Sequence, residues 1–174
     1  MNTAQKIAKE STISFIGIFY GSINRYLYSA LLARWVGPEY LGIYSMANAI
    51  MLIGEVLSKM GMETGTMRFI SRLDPKKDQK EISRIIASAM KMCFVVSLVV
   101  ATVLIASSSF IVYNILSEKP LMINVLIVFA MALPFNAMTL IGASATQGYK
   151  KLKYKAFVTQ FVNPTILLLS LIHI

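Results

Sequence analysis

Residues 91–116 read KMCFVVSLVVATVLIASSSFIVYNIL, and the stretch carries no charge after Lys91. A bilayer core of about 30 Å takes about 20 helical residues to cross, so this run is long enough to span it. In lipid, backbone N–H and C=O groups must pair within their own segment, so the run is a helix and not a strand. Working outward, four more apolar segments of spanning length follow, at residues 12–36, 40–69, 121–146 and 156–174. An amphipathic lead-in from Ile82 precedes the central run. The pattern predicts an all-α polytopic membrane helical bundle of five transmembrane helices, with residues 1–174 forming one membrane domain.

Composition agrees. Of 174 residues, 56% are hydrophobic and only 14% are charged, where a soluble domain carries about 25%. Short turns join the runs at Gly37-Pro38-Glu39 and at Ser117-Glu118-Lys119-Pro120. The connections at 72–80 (RLDPKKDQK) and 149–155 (YKKLKYK) are basic, and no soluble domain fits between the runs. A net charge of +9 would suggest nucleic acid in a soluble protein. Here the cations cluster between apolar runs, which is membrane topology, with lipid and no nucleic acid as partner. The single cysteine, Cys93, excludes an intrachain disulfide and reads as a small buried hydrophobe.

Lys6, Lys9, Arg68, Arg72, Lys76, Lys77, Lys80, Arg84, Lys150, Lys151, Lys153 and Lys155 fall on one side of the predicted membrane, against Arg34 and Lys119 on the other. The positive-inside rule then predicts a multi-pass protein of the cytoplasmic membrane with a cytoplasmic N-terminus. The first run is not a cleavable signal, because Asn24-Arg25-Tyr26 interrupts it and hydrophobicity resumes afterwards. Trp35, Tyr40, Tyr113, Tyr149 and Tyr154 fit aromatic belts at the two interfaces. The last run covers about 28 Å of helix and stops at Leu171-Ile172-His173-Ile174 without a polar flank. The expectation is the front piece of a longer protein.

Polar residues inside the runs are the candidate functional groups. Ser14, Gly17, Gly21, Asn24 and Tyr28 form one helical stripe bordered by Arg25, and Ser45, Asn48, Glu55, Lys59 and Glu63 form another. Two readings stay open. In the structural one, Glu55, Lys59 and Glu63 pair at four-residue spacing, Arg25 pairs with Glu55 across helices, and Gly17 and Gly21 allow close packing. In the functional one, the stripes face a shared water-filled cavity, because intramembrane charge is retained mostly for function. Asn24, Arg25, Asn48, Glu55 and Lys59 are then substrate-binding candidates. Arg25 and Lys59 would hold an anionic group, and Glu55 would be a counter-charge or proton site. Pro134, and Pro164 beside Asn163, interrupt the fourth and fifth runs, as broken transporter helices do and as ordinary spans also do.

Catalytic patterns are missing from the sequence. It has no Ser-His-Asp set, no HExxH, no Cys/His cluster and no phosphate loop. Asp74 and Asp78 are the only aspartates, and they sit among lysines in a short polar loop. The reading is a non-enzyme with no cofactor and no metal, and a coupling ion, H+ or Na+, is left open.

Three stretches carry a resemblance. Residues 32–50, LARWVGPEYLGIYSMANAI, hold Arg34, Gly37, Pro38, Glu39, Tyr40, Gly42 and Tyr44 around the first turn. Residues 60–70, MGMETGTMRFI, hold Gly61, Gly65, Arg68, Phe69 and Ile70, with Glu63 and Thr64 as mild departures. Residues 147–164, QGYKKLKYKAFVTQFVNP, open the fifth run. Together they resemble the oligosaccharide flippases of the polysaccharide biosynthesis protein family, within the multidrug/oligosaccharidyl-lipid/polysaccharide exporter superfamily. The resemblance implies a two-bundle transporter around a central cavity, of which this chain supplies most of the first bundle and the missing C-terminal half the second. It implies an undecaprenyl-diphosphate-linked oligosaccharide as substrate, moved between leaflets by alternating access. A cationic cavity would hold the diphosphate, with Arg25 and Lys59 as the cations available here. A drug or metabolite antiporter of the same superfamily and a non-transporting scaffold subunit are the alternatives. A basic cavity favours the flippase, and an acidic one with a lone carboxylate favours cation efflux.

Overall fold

The computed structural model describes residues 3–116, 120–149 and 152–172. Most of the turn expected at 117–120, together with Lys150, Lys151, His173 and Ile174, lies outside the described residues. Among the described residues the chain is helical apart from short connections, with no strand. The helices are α1 (Thr3–Trp35), α2 (Pro38–Lys59), α3 (Met62–Arg72), α4 (Gln79–Phe110), α5 (Leu121–Gly148), α6 (Leu152–Ala156) and α7 (Asn163–Ile172). α4 runs on as a π-helical segment, Ile111–Leu116, and a second π-helical segment, Phe157–Val162, joins α6 to α7.

Among the described residues three helices are long and apolar enough to cross a membrane: Pro38–Lys59, Gln79–Asn114 and Leu121–Gly148. They correspond to the second, third and fourth predicted runs. α1 has ample length at 33 residues, but Asn24, Arg25 and its serines dilute its apolar character. The fifth run is interrupted by the π-helical segment. Large apolar side chains cover the outer surface, among them Phe15, Phe19, Val95, Val99, Val103, Met131 and Phe135. That is the surface a helix presents to lipid, where burial against protein is not needed to remove apolar area from water.

The second run departs from the expected single helix over 40–69. α2 stops at Lys59, Met60 turns into the left-handed region at φ 42°, and Gly61 follows at φ 77°. Glycine has no Cβ to collide with the carbonyl there, so Gly61 makes the break tolerable. The apolar content of the stretch masked this interruption, because hydropathy does not report backbone sign. At the other end Pro38 occupies the first turn of α2, where its missing N–H costs nothing, and Glu39 complements the helix dipole.

α5 is the central helix, packed on α2, α3, α4 and α6. Two apolar clusters fix the ends. Ile43, Val112, Met122 and Leu126 bring the start of α2, the end of α4 and the start of α5 together. Ile70, Ile82 and Ala145 bring α3, the start of α4 and the end of α5 together at the opposite end. α4 therefore runs antiparallel to α2 and α5, which run parallel to each other, and the basic connection at 72–80, the end of α5 and Lys155 lie at one end. Trp35, Tyr40 and Tyr113 are exposed toward the other end. α1 packs on α2, α6 and α7, forming a second layer with the C-terminal helices.

Placing a Cβ at position 61 forces an L-residue into left-handed backbone. Gly61→Ala is expected to lower stability by about 1 kcal/mol, read as a lower thermal midpoint of the purified protein in detergent, while Gly65→Ala, in ordinary helix, leaves it nearly unchanged.

Candidate functional site

The polar residues singled out in the sequence separate into two places. The first is a cavity of about 480 Å3 lined by Arg25, Tyr28 and Ser29 of α1, Tyr44, Ser45, Asn48 and Leu52 of α2, and Pro164 and Leu167 of α7. Arg25 and Asn48 are the two candidates it brings together. Arg25 Nη2 donates to Gln160 Oε1 at 3.2 Å, a neutral amide that leaves the positive charge uncompensated. Tyr28 and Tyr44 rings lie 5.5 Å apart, and Tyr44 meets Phe129 edge-on, so aromatic packing holds this part of α1 and α2 to α5.

Local sequence explains how Gln160 reaches Arg25. Pro164 has no N–H to offer the Gln160 carbonyl four residues back, and the preceding segment is π-helical. Gly21 lies opposite. A Cβ there would sit 2.8 Å from Gln160 Oε1 and 2.9 Å from its backbone oxygen, so only glycine lets the two helices close here. Thr165 donates to the Phe161 carbonyl at 2.6 Å, which leaves Tyr20 to donate to Thr165 Oγ1 at 3.1 Å. Tyr20 also stacks on Phe161, with ring centroids 5.0 Å apart. Asn24 turns away from the cavity: it is buried and donates to its own helix at the Tyr20 carbonyl, 2.9 Å.

The second place is a chain of alternating charges. Glu55 is 7% exposed, with both carboxylate oxygens occupied. Lys59 Nζ donates to Oε1 at 2.8 Å, and Asn136 Nδ2 of α5 donates to Oε2 at 2.8 Å. Lys59 also meets Glu63 Oε2 at 3.4 Å. Lys155 of α6 donates to Glu63 Oε1 at 2.9 Å and to Gln147 Oε1 at 3.1 Å. Two carboxylates and two ammonium groups give a neutral chain that ties α2, α3, α5 and α6.

The helical ladder of Glu55, Lys59 and Glu63 is present as the four-residue spacing implies. The expected Arg25–Glu55 pair is not made. The two side chains have other partners, because helix rotation sets Glu55 toward α5 and Arg25 toward the C-terminal helices. Glu55 and Lys59 do not line the cavity that holds Arg25. Asn136, Gln147 and Lys155 complete the ion-pair chain, and Gln160 holds the Arg25 side chain that lines the cavity. Each is polar within or beside an apolar run, which was the available signal, but nothing in the spacing named its partner. Among the described residues no three metal-ligating side chains come together.

A family model described as polysaccharide biosynthesis protein matches residues 7–174. The chain belongs to the polysaccharide biosynthesis protein family. It matches no curated protein and no solved structure. Its apolar helices and its family together assign it a polysaccharide-related membrane function. The family match spans both the cavity and the ion-pair chain.

Beyond the end of α2, Glu63 reports the balance of forces in the chain. Burial alone pushes its carboxyl up, but the ammonium groups of Lys155 and Lys59 outweigh burial and hold it below its ordinary value of 4.5. A depressed carboxylate stabilises the folded state above its unfolded value, and that contribution is lost as pH falls through the lower folded value. Lys155→Ala is therefore expected to lower the thermal midpoint in detergent at pH 7 and to have a smaller effect at pH 3. Removing Lys59 instead strands Glu55 in an apolar setting. Lys59→Ala should cost about 3 kcal/mol, and adding Glu55→Gln should restore most of it, because a neutral amide still accepts from Asn136. A double-mutant cycle on thermal or denaturant unfolding reads both effects.

Proposed function

We propose that the chain is part of a flippase that moves polyprenyl-diphosphate-linked oligosaccharide across the cytoplasmic membrane for surface polysaccharide synthesis. The observation that carries this reading is the charge of the cavity between α1, α2 and α7. Its lining holds one guanidinium, Arg25, and no carboxylate. An uncompensated arginine suits a diphosphate, since its planar fork pairs with phosphate oxygens in two parallel hydrogen bonds. Tyr28, Ser29, Ser45 and Asn48 add neutral donors and acceptors of the kind that bind sugar hydroxyls. Among the described residues the one buried carboxylate, Glu55, is neutralised by Lys59 elsewhere. That disfavours cation efflux by an antiporter, which calls for a free acid in the cavity.

In this reading the protein transports and does not catalyse. α1 and the α6–α7 segment add a first and a fifth crossing to the three apolar spans, and the helices make up most of the first of two bundles. The basic end, with the N-terminus, faces the cytoplasm. Arg25 acts as the phosphate-holding group. Lys59 holds the bundle together, so its charge is not free for substrate.

Loss of charge at position 25 should therefore act on transport and not on folding. In the full-length protein, Arg25→Ala is expected to reduce surface polysaccharide at least about tenfold, the worth of one charge-assisted phosphate contact. Arg25→Lys should retain part of it, and membrane insertion should be unchanged. Cell-surface polysaccharide measured by immunoblot, alongside the protein level in membranes, checks this. Unaltered polysaccharide in Arg25→Ala would remove the arginine from the site.

A further inference from the structure

A second concave site lies outside the cavity and the ion-pair chain. It is a groove of about 420 Å3 on α3, lined by Gly61, Thr64, Gly65, Arg68, Phe69 and Arg72. None of these residues lines the Arg25 cavity. Arg68 and Arg72 are one helical turn apart and exposed. Neither has a hydrogen-bonding or ion-pair partner among the described side chains, although α3 carries Glu63. Two like charges at this spacing repel each other along a helix, so the pair is stabilised by an anion between them.

The groove has a shape as well as a charge. Gly61 and Gly65 form its floor, and a Cβ at either would meet nothing within 4 Å. The opposite face of α3 is fastened down. Thr66 and Ile70 are buried, and Ile70 packs so closely on α5 that a Cβ on Gly148 would sit 2.8 Å from its own Cβ. The arginines are thereby held on the outward face. Phe69, between them in sequence, is 61% exposed. The break at Met60–Gly61 places all of this just beyond the end of the α2 span, next to the basic connection containing Lys76, Lys77 and Lys80. An apolar ring beside two unpaired guanidinium groups at the end of a membrane span matches the headgroup region, where acyl chain and phosphate meet.

We propose that this groove is a binding site for the phosphate headgroup of an anionic phospholipid in the leaflet at the basic end of the protein. Arg68 and Arg72 grip the phosphate oxygens, Thr64 contributes a hydroxyl, and Phe69 lies along the first methylenes of the acyl chain. The site needs the chain to be membrane-embedded with α3 at the interface. It does not need flippase activity, so it stands or falls separately from the transport reading.

The test is lipid binding to the purified full chain in detergent, counted by native mass spectrometry. Phosphatidylglycerol and phosphatidylcholine with matched acyl chains are the probes. Phosphatidylglycerol is expected to bind about tenfold more tightly. R68Q/R72Q should abolish that preference. G65W should abolish it too by filling the groove, with helical circular dichroism unchanged in both. K76Q/K77Q should keep it. Equal binding of the two lipids would overturn the proposal, as would a preference lost in K76Q/K77Q but kept in G65W, which would mean diffuse attraction to the loop. Geranylgeranyl diphosphate distinguishes the other source of lipid-borne phosphate. If it binds through Arg68 and Arg72 while phosphatidylglycerol shows no preference, the groove takes a polyprenyl carrier, and the phospholipid assignment is wrong.

Discussion

A carboxylate placed among apolar helices must be neutralised, and Glu55 imposes that requirement on much of the bundle. Leaving a buried charge unpaired costs several kcal/mol, whereas a well-paired one contributes little net stability. The value of the arrangement is therefore in geometry. Lys59 supplies the charge from one turn along the same helix, and Asn136 satisfies the second oxygen from α5. Lys59 is then shared with Glu63, and Glu63 with Lys155. Each link satisfies the one before it, so the rotations of α2, α3, α5 and α6 are set together.

That closed chain determines what remains open elsewhere. Because Glu55 faces α5 while Arg25 faces the C-terminal helices, Arg25 has no carboxylate partner among the described residues and is held by the neutral side chain of Gln160. Its charge stays available to the cavity between α1, α2 and α7. The close approach that places Gln160 depends on two small features, the missing N–H of Pro164 and the missing side chain of Gly21. In the proposed reading, substrate chemistry and bundle architecture thus fall to different charged groups. This separation is what favours an anion-handling transporter over one that uses a free acid.

The break at Met60–Gly61 has a comparable reach. It ends the α2 span and starts α3 as a separate amphipathic helix. One face of α3 is locked on α5 through Ile70 and Gly148. The other carries Arg68 and Arg72 at the end of the protein where the basic connections gather. The separate position of α3 and the basic groove on it are therefore consequences of one break in the backbone.

The helical class, three of the spans, the family and the polarity of the two ends were all legible in the sequence. These properties are local or additive: hydropathy over about 20 residues, cations between apolar runs, and short motifs such as those around Gly37-Pro38 and Arg68. The ladder from Glu55 to Glu63 was legible too, because four-residue spacing on a helix fixes proximity without knowledge of any neighbour. The tertiary structure alone decided that Glu55 turns to Asn136, that Arg25 turns to Gln160, that Asn24 turns inward, and that Lys59 belongs to the bundle and not to the cavity. It also decided the interruption at Gly61 within a stretch that hydropathy reads as continuous. Partners on different helices depend on the rotation and separation of whole helices. Packing contacts such as Gly21 on Gln160 set those quantities, and no single stretch of sequence contains both sides of such a contact.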